Sequence, residues 1–447
     1  MEKNLTSGSV FKNIVCFSLP YLLSYFLQTL YGMADLFIIG QFNGVDSITA
    51  VSVGSQVMHM LTVMIVGLAM GSTVMIGQAV GAGQRREASA AVGNTVTLFM
   101  LVSAAATVLL LALVSPIVRV MSTPGEAVPG TTAYLTICFI GIPFITAYNI
   151  ISSVFRGLGD SKSPMYLIAV ACVINIALDY LLIGVFHLGP AGAALGTTLA
   201  QTVSVITALV VIRKKKTGLS LQKSDFRPKH SVMGKVLKIG IPVALQDGFI
   251  QIAFIVVTVI ANRRGLNDAA AVGIVEKVIG VVFLVPSSML SAVSALSAQN
   301  IGAGKHDRAA RTLRYGTFLT TGFGIVVVAV VQLWAEPIVG LFVKENSPEV
   351  VRLGGTYIRG YIWDCIFAGI HFCFSGYFCA YGKSGISFLH NFLAIVLVRI
   401  PGAYLASKFF ADTLFPMGLA ASGGSLLSVI ICAAAYQYLR KRKMLFS

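Results

Sequence analysis

The chain has 447 residues, of which 56% are hydrophobic and 11% charged, with a mean hydropathy of +0.84. Soluble domains carry about a quarter charged residues, so an ordinary soluble fold is excluded. The net charge of +16 is distributed over the breaks between apolar stretches, which argues against a nucleic-acid partner.

Apolar stretches recur at 14–39, 51–78, 89–112, 128–154, 163–187, 191–213, 234–262, 269–301, 308–333, 350–380, 385–408 and 416–439. Each is long enough to span a bilayer as a helix. The expected fold is an all-α polytopic membrane protein of twelve transmembrane helices. The first span follows Lys3 and Lys12, carries Pro20, and runs to Ala34-Asp35-Leu36-Phe37-Ile38-Ile39-Gly40. It is too long for a removed signal peptide and has no small-residue cleavage site. Asp35 is an acid at membrane depth. The second span ends in Gly77-Gln78-Ala79-Val80-Gly81-Ala82-Gly83, where small residues suit a tight turn.

The fifth span contains Val173-Ile174-Asn175-Ile176-Ala177-Leu178-Asp179-Tyr180. Asn175 and Asp179 stand one turn apart on one helical face. A carboxylate at this depth costs about 2.5–3.5 kcal/mol on insertion scales, so it must face protein or a water-filled cavity. Asp179 is therefore the leading functional residue. A structural role, bonding a neighbouring helix, is the competing reading.

A basic polar linker at 214–232 separates two halves, 1–213 and 233–447. The second half repeats the first. Gln299-Asn300-Ile301-Gly302-Ala303-Gly304-Lys305 recurs about 221 residues after Gln78, and Pro242 matches Pro20. Six spans per copy give both copies the same orientation. Two six-helix lobes related by a pseudo-two-fold along the membrane normal are expected, an arrangement found among transporters. Positions equivalent to Asp35 and Asp179 are Val257 and Gly402, so the acids belong to one half only.

One set of loops holds Lys3, Lys12, Arg85, Arg86, Arg156, Lys162, Arg213 to Lys216, Lys305, Arg308, Arg311, Arg314, Lys383 and Arg440 to Lys443. The other holds Arg119, Arg263, Arg264, Lys344, Arg352 and Lys408. The excess of Lys and Arg places both termini in the cytoplasm of a multi-pass cell-membrane protein. Gly302-Ala303-Gly304-Lys305 is not a phosphate loop: Gln299 and His306 stand where that motif needs Gly and Ser or Thr. No ATP and no other cofactor is expected. The seven cysteines, Cys16 among them, all lie in apolar segments and read as small buried hydrophobes.

The Gly-Ala-Gly strings, together with Phe155-Arg156-Gly157-Leu158-Gly159-Asp160 and Val398-Arg399-Ile400-Pro401, give the chain a resemblance to the multidrug and toxic compound extrusion (MATE) family along its whole length. That resemblance implies secondary antiport: amphipathic, mostly cationic compounds exported in exchange for Na⁺ or H⁺ by alternating access. It implies a cation site at Asp35, Asn175, Asp179 and Thr197, with no other metal. Carboxylate, amide and hydroxyl oxygens suit a hard cation, and the two acids could equally take a proton.

Another branch of the family uses acids of the second half. Asp364 is a candidate there, with an ion pair to Arg359 or a helix cap as its structural alternative. His371 lies two turns further along, and Asp247 stands close to the expected helix 7 position. His59 and His390 read as packing residues, and Arg399 as a structural base in a kinked span. Gln28, Tyr31, Tyr148, Asn149, Gln246, Gln251 and Phe367 are the substrate-cavity candidates. The expected partners are organic cations and membrane lipids, with the chain acting as a monomer. A lipid-linked oligosaccharide flippase is the alternative function, although it would favour further spans and a basic cavity. A membrane enzyme would need nucleophile or metal-ligand clusters, which the sequence lacks.

Overall fold

The computed structural model describes residues 4–214, 221–343 and 347–442. Lys3, Lys215, Lys216, Lys344, Lys443 and part of the 214–232 linker lie outside the described residues. Every regular element among them is helical. Eleven helices are long and apolar enough to cross a membrane, and one bent pair makes a twelfth. We number them α1 (Val10–Phe42), α2 (Val45–Gly81), α3 (Arg85–Ala112), α4 (Gly125–Ile140 with Ile142–Gly157), α5 (Lys162–Val185) and α6 (Gly189–Arg213). There follow α7 (His230–Asn262), α8 (Leu266–Gly302), α9 (His306–Gly340), α10 (Pro348–Ala380), α11 (Ser384–Phe409) and α12 (Phe415–Lys441). Each matches one of the twelve apolar stretches, with α5 stopping at Val185, short of the expected 187. A helix is favoured here because it satisfies its own backbone where no water can.

Three departures from straight helices matter. α4 bends by 50° at Gly141, just before Pro143, where the ring removes a backbone donor. α5 closes in a π-turn, Tyr180–Val185, and α11 contains another, Ile395–Arg399. Such widened turns are frequent at functional sites. A short helix, Val114–Val120, follows α3, and its Val114 and Val118 join the core under α4.

By contact the chain forms two compact units. The first is built on Leu19–Gly240, the second on Leu5–Ser18 together with the chain from Ile241 onward. The opening of α1 is thus part of the second unit, where Leu5, Ile14 and Phe17 are buried among Leu296, Leu313 and Tyr377. The opening of α7 is part of the first unit, where Val236 packs with Ala69, Leu98 and Phe99. Both boundaries stand just ahead of a proline inside its helix, Pro20 and Pro242.

The residues that lead into these two helices are anchored alike. In the first unit Asp225 is fully buried, pairs with Arg86 at 2.9 Å and accepts from the Gln222 amide at 2.9 Å. Asn94 donates to the Asp225 carbonyl at 3.0 Å and accepts from the Lys229 amide at 2.7 Å. In the second unit the Leu5 amide donates to Gln299 at 3.1 Å. Arg308 donates to the carbonyls of Gly8 at 2.9 Å and Ser7 at 3.1 Å, and Lys305 to that of Thr6 at 2.9 Å. The paired glycine turns behave as expected. Gly83 and Gly304 have φ of 72° and 71°, left-handed values that glycine adopts without a Cβ penalty. The cysteines are all free, and six are buried. Cys16 is exposed, which corrects its expected burial: it stands on the exposed side of α1 that also carries Val15 and Leu19.

Candidate functional site

In the first unit, three helices bring four of the expected side chains together. Asp35 comes from the second half of α1, Asn175 and Asp179 from α5, and Thr197 from α6; all four are buried. Thr197 Oγ1 donates to Asp35 Oδ2 at 3.2 Å. Asp179 and Asn175 also lie beside Asp35. Asp179 is the last α-helical residue before the π-turn. The remaining polar atoms, Asp35 Oδ1, both Asp179 oxygens and both Asn175 amide atoms, have no hydrogen-bond partner. Buried polar atoms are nearly always paired, so five orphaned atoms in one cluster point to a ligand.

Around this cluster stand groups that sequence reading had not connected. Tyr31, one turn before Asp35, lies beside Gln201, one turn after Thr197. Tyr134 and Cys138 of α4 also lie near Asp35. Gln201 is buried and its Oε1 is unpartnered. The only sequence signal for it was the one-turn spacing from Thr197. The donor set is carboxylate, amide and hydroxyl oxygen, the chemistry of a hard monovalent cation or a proton. No cluster of three His, Cys, Asp or Glu residues that could hold a metal occurs among the described residues.

The second unit contains a different polar centre. A cavity of about 40 Å³ is lined by Phe254, Asp364, His371, Asn391, Arg399 and Ser425, among others. That volume suits about two or three waters. Asp364 is fully buried at the break inside α10, and both its oxygens lack partners. Its alternative ion pair with Arg359 is not made: Arg359 lies 3.5 Å from Glu336 instead. The base beside Asp364 is Arg399. Arg399 ends the α11 π-turn, bonds the Tyr361 hydroxyl, and stacks over the Phe254 ring with its centroid at 4.8 Å. His371 lines the same cavity and meets the His390 ring at 5.4 Å, while His390 Nε2 bonds Ser375 Oγ at 2.9 Å. Asp247 is half-buried on α7 beside Gln246 and does not line this cavity.

The substrate candidates fall in both units. In the first, Gln28 and Tyr148 lie together, Tyr31 meets Gln201, and Asn149 donates to its own helix at Ile145. In the second, Gln246 is buried while Gln251 and Phe367 are half-buried.

Twelve apolar spans, with carboxylates kept at depth and left open, define a polytopic membrane protein of the transporter class and not an enzyme. The chain belongs to the MatE family, whose profile matches it twice, at residues 20–181 and 242–405. The two matches begin at Pro20 and Pro242, one per repeat. It is 28% identical over 98% of its length, and 96% of the relative's, to the probable multidrug resistance protein YoeA of Bacillus subtilis. It is 24% identical to an FAD transporter of Shewanella oneidensis, covering 96% of this chain and 94% of that one. Among solved structures, the outward-facing conformation of a multidrug resistance MATE family transporter of the MOP superfamily superposes with a TM-score of 0.90 at 21% identity, covering 98% of each chain. At that identity the likeness shows the fold.

Proposed function

We propose that the protein is a secondary active antiporter of the cell membrane, with both termini cytoplasmic. In this reading it exports amphipathic, mostly cationic compounds in exchange for Na⁺ or H⁺ by alternating access. The observation that carries it is the first-unit cluster. Two buried carboxylates with three unpaired oxygens call for a positive charge between them, because buried like charges are costly unless compensated. A cation that enters from one side and leaves to the other supplies that charge and couples its gradient to the transport cycle. The multidrug name of the YoeA relative supports the substrate class.

The test is efflux of a fluorescent organic cation from proteoliposomes under an imposed Na⁺ or H⁺ gradient. Wild type is expected to respond to one gradient. Asp35→Asn and Asp179→Asn are expected to lose the gradient-driven component. Unchanged transport in both variants overturns the site. One relative is named an FAD transporter, which brings a second substrate class into the test. A flavin nucleotide therefore belongs in the assay as a competing substrate, and inhibition of dye efflux by it would support that class.

A further inference from the structure

We infer that Gly196 is a positioning residue of the cation site, and that its missing side chain gives the Asp179 carboxylate its seat against α6. This rests on the reading of Asp35 and Asp179 as the cation-binding pair. A methyl group at Gly196 would overlap Asp179 Oδ1, and would stand 3.4 Å from Asp179 Cγ and 3.7 Å from Asn175 Nδ2. One turn earlier, a methyl at Gly192 would stand 3.2 Å from the Leu182 backbone and from Ile183 Cγ1 in the π-turn. Gly192 and Gly196 therefore present a bare strip of α6 to the end of α5. Two small residues one turn apart are ordinary helix packing. What distinguishes Gly196 is its neighbour, a fully buried carboxylate with neither oxygen hydrogen-bonded.

A side chain held by hydrogen bonds keeps its place when a wall moves. Asp179 accepts from no donor group, and its carboxyl neighbour Asp35 can bond it only through a shared proton, so in the ionised pair shape fixes it: Gly196 on one side, Asp35 and Asn175 on the other. A hard cation must reach oxygens from both acids at short range. The separation of the two carboxylates then sets affinity, and Gly196 sets that separation. One added methyl displaces the Asp179 carboxylate and so alters cation binding without removing any charge or any ligand group. Intrinsic helix preference runs the other way, since alanine is favoured over glycine by about 1 kcal/mol in a helix. A merely structural role therefore predicts a Gly196→Ala protein whose stability changes but whose cation midpoint does not.

The experiment uses the full chain in detergent. Its unfolding temperature is followed against Na⁺ concentration at fixed pH, and against pH at fixed Na⁺. The groups that face Asp179 and Asp35 during both titrations are Tyr31 of α1, Tyr134 and Cys138 of α4, Cys172 and Asn175 of α5, and Thr197 and Gln201 of α6. Gly196→Ala is expected to shift the midpoint of the wild-type cation response by about tenfold or more, the usual scale for loss of a ligand-orienting contact. Gly280→Ala, where a methyl meets open space, is expected to leave the midpoint where it is. A wild type that answers neither cation overturns the site reading itself. A wild type that responds, with Gly196→Ala matching it, overturns the role of Gly196. Where Gly196→Ala does not fold, the variant carrying both Gly196→Ala and Asp179→Ala decides: recovery of folding identifies the carboxylate as the clashing partner, and failure to recover overturns the inference.

Discussion

Asp35, Asn175 and Asp179 hold five polar atoms that are buried and unpartnered. Each such atom costs about 1–3 kcal/mol, so without the proposed cation this cluster is a destabilising element of the first unit. Asp35→Asn removes one charge and keeps the shape. In Na⁺-free alkaline buffer the variant is expected to be more stable than wild type by about 1–3 kcal/mol, and the gap is expected to close as Na⁺ is added or the pH is lowered. Thermal unfolding checks it; a variant less stable than wild type under Na⁺-free conditions would count against an uncompensated pair. Asp35 and Asp179 were legible in the sequence because charge in an apolar run is expensive. Thr197 was legible only through the family resemblance. Gly196 was not legible at all, since an apolar helix tolerates glycine for many reasons and only the neighbouring carboxylate gives this one its meaning.

The twelve spans were readable from length and hydropathy, and each observed helix ends within about seven residues of its expected stretch on either side. What hydropathy could not show is that α1 and α7 each begin in the contact unit opposite to their remainder. That division depends on which core the first turns enter, and Leu5, Ile14 and Phe17 look like any other apolar residues until Leu296 and Tyr377 are seen beside them. The anchoring of the α1 leader is polar. Arg308 donates to three carbonyls, those of Leu5, Ser7 and Gly8, and to the Asn300 side chain. Arg308→Ala is expected to release residues 5–9 while α1 from Val10 onward keeps its apolar contacts. Hydrogen exchange at those leader amides should rise about tenfold or more, corresponding to the loss of about 1–3 kcal/mol of bonding. Unchanged exchange there would show that Leu5 burial and the bonds to Gln299 and from Lys305 hold the leader without Arg308. The π-turns were equally hidden: no residue pattern marks Tyr180–Val185, whereas Pro401 hinted at a distortion near Ile395–Arg399.

Across the whole chain, two matches to one family profile carry a single architectural plan with opposite charges at its fifth spans. The π-turn of α5 follows Asp179, while that of α11 ends on Arg399. In the first unit the acids have no base beside them. In the second, Asp364 and Glu276 face the guanidinium of Arg399, which is buried between aromatic rings. Glu276 is further held by Thr258 at 3.1 Å. A fixed base therefore supplies in the second unit the charge that, in the proposed antiport, the first takes from solution. Removing it should leave two buried acids uncompensated, a change that typically costs about 3–5 kcal/mol. Arg399→Met is accordingly expected to lower the unfolding temperature at every Na⁺ concentration, without moving the midpoint of the Na⁺ response that the first unit provides. Adding Asp364→Asn should recover a large part of the loss, because the orphaned charge then disappears. If Arg399→Met were as stable as wild type, Arg399 would not be the countercharge. If instead it shifted the Na⁺ midpoint, the cation response would belong to the second unit and not to Asp35 and Asp179.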